Sequence, residues 1–234
     1  MILLLQVRSD PIPEVQEQHC FLEVGGLDPE QVAFHNLVHR PHITWNDVAG
    51  FDVLLVGGAG VHSATETYDF TRPLEEVVLR WLETGRPFLG SCWGHHFLAR
   101  VLQGELVTDP EREEVGTFDI TVTDAGRRDP LFQDLPDTFP AQLGHHDRVA
   151  MPGPDLHELA YSERCRFQAV RYRDLPVYGT QFHCEMEERH IRERLAMYQG
   201  EYLPGVDPAE ALDRILRPGP DAPRVLRRFF ELYG

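Results

Sequence analysis

The sequence predicts an α/β protein, a mostly parallel central sheet with helices on both faces. Three observations carry this reading. Apolar runs of strand length alternate with stretches of helical period. Gly and Pro punctuate the joints. Between Asp52 and Leu102 the order is strand, helix, strand, helix.

Along the chain, Ile2 to Val7 is a short apolar strand, and Asp52 to Val56 is a second, ending in Gly57-Gly58. Leu74, Val77, Val78, Trp81 and Leu82 recur at i, i+3, i+4, i+7 and i+8, the pattern of an amphipathic helix. Gly85 is the residue that a helix C-terminus favours. Pro87 to Gly90 is a brief strand, and a helical pattern restarts at Trp93 through Phe97, Leu98, Val101 and Leu102. Phe118, Ile120 and Val122 alternate with polar residues, as a half-buried strand does. Phe167 to Tyr172 and Val177 to Phe182 read as two strands joined by a turn at Asp174 to Pro176. The tail is helical again. Ile191, Leu195 and Tyr198 share one face, Ala211, Ile215 and Leu216 suggest a second helix, and Val225, Leu226, Phe229 and Phe230 a third. Pro204, Pro208, Pro218 and Pro220 separate these pieces. No internal repeat interrupts the pattern. The expectation is one domain over residues 1–234, in which residues 191–234 form a helical extension packed on the rest.

Composition narrows the chemistry. With 234 residues the chain can bury a sizeable core. All 22 basic residues are Arg, and there is no Lys. That excludes a lysine Schiff base, a lysine general base and a P-loop. The formal charge of −16 argues against nucleic acid as the main partner. The N-terminal apolar run, Met1 to Leu5, is far short of a membrane span or a signal-peptide core. Cys20, Cys92, Cys165 and Cys184 form no CxxC pair and no disulfide framework, so reduced thiols in a cytoplasm are expected.

The strongest local signal is Gly90-Ser91-Cys92-Trp93-Gly94, where a strand gives way to a helix. A nucleophile on so sharp a turn needs small neighbours, because the backbones come close. The helix N-terminus favours thiolate over thiol, and the N–H of Trp93 can meet a developing oxyanion. A small buried cysteine would show the same spacing, so a base is required elsewhere. His183 ends an apolar strand, and Glu185 lies on the same side if the chain stays extended. An acid behind a histidine fixes its tautomer and supports the imidazolium. Gly57-Gly58-Ala59-Gly60 offers backbone N–H groups after a strand, with no GxGxxG to suggest a dinucleotide.

Together these segments resemble the class I glutamine amidotransferase family, the Cys-His-Glu triad group, from the first strand to about His190. Within it they are most similar to stand-alone proteins like the glutaminase domain of GMP synthase. The family's G-x-C-x-G elbow matches Gly90, Cys92 and Gly94, and its His-Pro-Glu motif matches His183 and Glu185. Its Gly-Gly-Pro-Gly loop matches Gly57, Gly58 and Gly60. Its His-Gly-Asp segment looks like His145-His146-Asp147, followed by Met151-Pro152. Glu114-Val115-Gly116 and Phe167-Gln168-Ala169 also look like family positions.

The resemblance implies a flavodoxin-like fold and hydrolysis of the side-chain amide of glutamine through a Cys92 thioester. Gly58 and Trp93 would hold the oxyanion, His183 would move protons and Glu185 would orient it. Gly57, Gly60, His96, His146 and Asp147 would line the small-molecule donor site. No cofactor and no metal are implied. The ammonia could pass to a separate synthetase subunit, since no synthetase domain fits beside this one. Oligomeric state is left open.

This chain departs from the family at four places: His96 stands for Gln, His146 for Gly, Cys184 for Pro and Ala59 for Pro. The first two fall where the donor's α-amino and carboxylate groups would bind. A γ-glutamyl amide or peptide as donor, or a non-catalytic ligand-binding role, therefore stays open. His96 and His146 are expected to titrate near neutral pH and to add a cation to the pocket. His35, His39 and His42 have helix-like spacing, but Pro41 breaks that helix, so solvated or locally bonded histidines are expected there. Cys184 is expected to point away from its neighbours into the core. The run Glu111, Arg112, Glu113, Glu114 reads as a solvated turn, and Arg127-Arg128-Asp129 as a loop.

Overall fold

The computed structural model describes residues 1–198 and 208–234. Pro204 lies outside the described residues. The first unit is β1 (Ile2–Val7), α1 (Pro11–Gly25), β2 (Val32–Asn36), α2 (Trp45–Val48) and β3 (Val53–Ala59). Then come α3 (Thr71–Glu83), β4 (Phe88–Ser91), α4 (Trp93–Val101) and β5 (Glu105–Thr108). The middle holds β6 (Glu114–Val122), β7 (Thr138–His145), β8 (Asp147–Met151), β9 (Leu156–Ser162), β10 (Ala169–Tyr172) and β11 (Val177–Thr180). The chain ends in α5 (Glu188–Met197), α6 (Pro208–Ile215) and α7 (Ala222–Tyr233).

Nine strands form one sheet in the order β2-β1-β3-β4-β11-β10-β9-β6-β7. The first five are parallel neighbours. Each later pairing is antiparallel, so only β10 and β6 oppose the common direction. β5 and β8 make a separate antiparallel pair.

Burial explains why the parallel strands read as continuous apolar runs: both faces are covered. In β1, Ile2 and Leu4 enter a core with Phe21, Val24, Leu226 and Phe229, from α1 and α7. Leu3, Leu5 and Val7 enter the opposite core with Leu74, Trp81, Phe97 and Leu98, from α3 and α4. A smaller cluster joins Cys20 and Met186 to Ile191, Leu195, Leu212 and Leu216, which seats α5 and α6.

Helix α1 carries a disguised pattern. Its buried face is Pro13, Gln16, Glu17, Cys20, Phe21 and Val24, at helical spacing but with two polar members. Ile12 and Val15 are exposed. Asp10 caps its start, accepting from the N–H of Ile12 at 2.8 Å. Gly26, at φ 65°, ends it in the left-handed region.

Two surface expectations are corrected. Glu114 is not in a solvated turn. It opens β6 and is fully buried, because Ser162, Gln168 and His145 surround its carboxylate with donors. Arg127-Arg128 lies in a short 3₁₀ turn (Gly126–Arg128), and Asp129 is buried against Arg171 at 3.0 Å. His35 belongs to β2, and its Nε2 lies 2.8 Å from the carbonyl of Arg40.

Candidate active site

The parallel strands bring their C-terminal ends to one edge, where β4 passes directly into α4 through Cys92. Cys92 sits at φ 49°, ψ −100°, a strained conformation for a residue with a side chain. Its neighbours explain why the turn needs glycine. A Cβ on Gly90 would lie 2.4 Å from the carbonyl oxygen of Gly94, and one on Gly94 would lie 2.1 Å from that of Val56. The N–H of Cys92 donates to Thr180 at 2.8 Å, which ties the elbow to β11. Trp93 is the first helical residue, so its N–H has no intrahelical acceptor.

Three side chains line up behind the sulfur. His183 stands beside Cys92, whose sulfur acts on its ring, and its Nδ1 lies 2.7 Å from Glu185 Oε1. Ser91 Oγ donates to the other oxygen, Glu185 Oε2, at 2.6 Å. The N–H of His183 donates to Gln142 of β7 at 2.9 Å. The contact does not arise from an extended strand. β11 ends at Thr180, and a turn closed by Met186 N–H on the carbonyl of His183 (3.3 Å) brings Glu185 round to the ring. Cys184 does point into the core, where Thr180 Oγ1 reaches its sulfur at 3.6 Å.

Electrostatics follow from burial and charge. Desolvation opposes a charged His183, but the Glu185 carboxylate and the Cys92 sulfur outweigh it, and the ring is pushed up to about 10. Desolvation also opposes an ionised Glu185, but His183 and the Ser91 hydroxyl hold it down at about 2. The arrangement suits an imidazolium facing a thiolate, with the acid fixing the ring. Burial pushes the thiols of Cys20 and Cys165 up to about 12 and raises that of Cys184 as well. A small cysteine-directed electrophile should therefore label Cys92 first. Peptide mapping that finds Cys20, Cys165 or Cys184 modified earlier would contradict this.

Cys92 opens into a cavity of about 270 Å³ that includes Gly60, Trp93, His96, His145, His146 and Asp147 in its lining. Gly57 and Gly58 are not among the residues that line it. A Cβ on Gly57 would lie 2.7 Å from Glu17 Oε1, so this glycine makes room for a buried carboxylate. The N–H of Gly58 donates to the same Glu17 oxygen at 3.0 Å. The expected free oxyanion donor at Gly58 is thus engaged, and Trp93 N–H is the donor that the elbow presents. Asp147 lines the cavity, but its two oxygens accept from Thr108 Oγ1 at 2.6 Å and Ser63 Oγ at 2.5 Å.

The expected histidine cation is revised at His96. His146 Nδ1 pairs with Glu113 at 2.7 Å. His96 is buried and neutral, because desolvation and then the charge of His145 push it down to about 4. His95 is held well below the usual range by burial first, and then by the neighbouring His96 and His145. The unfolded chain takes up these protons near pH 6.5 and the folded chain does not, so stability falls as pH drops from 6.5 toward 4. His183 has the opposite sign: its contribution is complete below 6.5 and is lost as pH rises toward 10. Stability should peak near pH 6.5, with His96 alone accounting for about 1.5 kcal/mol of loss by pH 5. Urea midpoints across pH 5 to 9 check this, and a midpoint unchanged between pH 6.5 and 5 would contradict it.

Several residues beside the elbow and its cavity escaped the sequence reading. Arg8, at the end of β1, is buried, and its Nη2 lies 2.6 Å from Glu17 Oε1. That nitrogen is 3.0 Å from where a Gly58 Cβ would be, so its cation stands beside the elbow. A charged residue ending an apolar strand was the available signal. Gln181 places Nε2 at 3.9 Å from Cys92 Sγ, within the segment that holds His183. Among the described residues, Glu114, His145 and Cys165 bring possible metal ligands together. Hydrogen bonds occupy them: Cys165 Sγ donates to Arg112 at 3.2 Å, and His145 bonds to Glu114 and Asp147.

The profile described as "Glutamine amidotransferase class-I" matches residues 30–197. The chain belongs to the class I glutamine amidotransferase family. It is 34% identical over 154 residues to the glutamine-hydrolyzing GMP synthase subunit of Ignicoccus hospitalis, covering 65% of this chain and 77% of that one. It is 27% identical over 188 residues to the protein of the same name from Methanococcus maripaludis, covering 80% and 88%. The amidotransferase fold recurs in a glutamine amidotransferase from Thermotoga maritima, with a TM-score of 0.75 and 20% identity over 99% of this chain and 97% of that one. It recurs too in a glutamine amidotransferase from Methylobacillus flagellatus, with a TM-score of 0.73 and 19% identity, covering 100% and 95%. The profile's span takes in the amidotransferase elbow at Cys92 and both His183 and Glu185. No helix among the described residues is long and apolar enough to cross a membrane.

Proposed function

We propose that Cys92, His183 and Glu185 hydrolyse the side-chain amide of glutamine to glutamate and ammonia. The observation that carries the reading is the unbroken line from the Cys92 sulfur through His183 to Glu185, anchored by Ser91. The thiolate attacks the amide carbon, forming the C–S bond and an oxyanion that meets the N–H of Trp93. The imidazolium of His183 gives its proton to the leaving nitrogen as the C–N bond breaks. Neutral His183 then takes a proton from water, which attacks the thioester and releases glutamate and the thiol.

Relatives named as glutamine-hydrolyzing subunits of GMP synthase support a separate synthetase chain as the recipient of the ammonia. Four free cysteines are compatible with a reducing cytoplasm. The test is ammonia release from glutamine and from γ-glutamyl amides by the purified chain, with and without a synthetase chain, against Cys92→Ala. Release that depends on Cys92 supports the reading. Turnover of γ-glutamyl amides but not of glutamine would replace the substrate. Silence on both, with or without the added synthetase, would overturn the enzymatic reading.

A further inference from the structure

We infer that His96 acts on the nucleophile through Gln181, whose side-chain amide it orients toward the sulfur of Cys92. The inference rests on the reading of Cys92 as nucleophile and gives His96 a task other than contact with the donor's amino-acid end. His96 lies one helical turn beyond Cys92, and its N–H donates to the Cys92 carbonyl at 3.1 Å. Gln181 follows β11, and its backbone N–H is fixed on the carbonyl of Gln168 at 2.8 Å. Its side chain spans the gap. Oε1 lies 2.5 Å from His96 Nε2, and Nε2 points at Cys92 Sγ from 3.9 Å. Both side chains are almost wholly buried, so water does not substitute for either partner.

A primary amide has two different ends, and only one suits a thiolate. With the amide nitrogen toward sulfur, a partial positive charge faces the developing anion. With the oxygen there, two electron-rich atoms oppose each other. The choice is made at the far end. A neutral His96 has one N–H, and when it is on Nε2 it must meet an acceptor, which Gln181 Oε1 provides. The other ring nitrogen faces the carbonyl of Asp147, which also receives His145 Nδ1 at 2.8 Å, so the proton of a neutral His96 is the more needed on Nε2. The charge of His145 helps to keep His96 neutral. The remaining titratable groups around this cluster are His183 and Glu185 beside the sulfur, His95 on the same helix, and Asp147 across the cavity.

The test is the rate at which iodoacetamide alkylates Cys92, followed by peptide mapping, in folded protein verified by its urea midpoint. At pH 7, Gln181→Leu and His96→Leu should each react about fivefold more slowly than the parent, the loss expected for one long hydrogen bond to a charged atom. Gln181→Glu should be slower still at pH 7. His96→Gln should recover the rate to within about a factor of two, since its amide also donates. Because His96 acts through Gln181, adding His96→Leu to Gln181→Leu should cost nothing further. Parent-like rates in both single variants, or two independent losses in the double variant, would each overturn the relay. A parent in which Cys92 reacts no faster than Cys20 would instead overturn the nucleophile reading on which it rests.

Discussion

Cys92→Ala should reduce ammonia release from glutamine to background, a loss of about 10⁴-fold or more by analogy with other nucleophile–base–acid sets. The size of the effect follows from the geometry. The sulfur is the atom that forms the covalent bond, and no second thiol is placed to replace it. Cys184 is nearest in sequence to the histidine, but it points into the core and its thiol is raised by burial. His183→Asn should lose nearly as much, because the ring both supports the thiolate and protonates the leaving nitrogen. The two losses should not add, since either change disables the same unit. Glu185→Gln should cost less than either, leaving the ring in place but without its carboxylate partner. A coupled ammonia assay measures all of these. Release from Cys92→Ala within about tenfold of the parent would contradict the cysteine mechanism.

Glu17→Ala is the change with the largest expected effect on folding. Glu17 is fully buried. Its Oε1 accepts from Arg8 Nη2 at 2.6 Å and from Gly58 N–H at 3.0 Å, and its Oε2 accepts from Gln6 Nε2 at 2.9 Å. Truncation leaves a guanidinium in the interior with no counter-charge and orphans two further donors. Breaking one side of a buried ion pair costs about 3–5 kcal/mol. Glu17→Gln, which keeps an acceptor but removes the charge, should cost less. The midpoint of urea unfolding at fixed pH checks the order. A loss below about 1 kcal/mol for Glu17→Ala would mean that Arg8 finds another partner or reaches water.

How legible was all this in the chain? Most of the parallel half of the sheet was, because β1, β3, β4 and β11 are covered on both faces and apolar and the intervening helices α3 and α4 keep a clean period; the edge strand β2, half-buried and carrying His35 and Asn36, was not. The elbow was legible because strand, glycine, cysteine, glycine and helix fall within a few residues. Helix α1 was not, because Gln16 and Glu17 occupy its buried face while Ile12 and Val15 face solvent. Hydrophobic period follows burial only where buried residues are apolar. Glu114 failed for a related reason: a charged run looks solvated unless its donors, here Ser162, Gln168 and His145, are known from elsewhere in the fold. The neutrality of His96 and the engagement of Gly58 N–H depend on groups distant in sequence: the fold that buries His96 beside His145, and Glu17. Local pattern carries the identity of such residues but not their protonation or their hydrogen bonds.

The cavity has three sources, one of which is the connection after β3, with Gly60, His62, Ser63 and Glu66. Cys92, Trp93 and His96 reach it from the β4–α4 junction, in the parallel half of the sheet. Thr108, Gly144, His145, His146 and Asp147 reach it from β5, β7, β8 and their connections, where pairings are antiparallel. The cutting edge and the mould that shapes what it cuts are thus separately heritable. Randomising residues 144–147 could retune which small molecules enter while the elbow keeps its geometry. Conversely, a search keyed to the elbow would group together chains whose appetites differ.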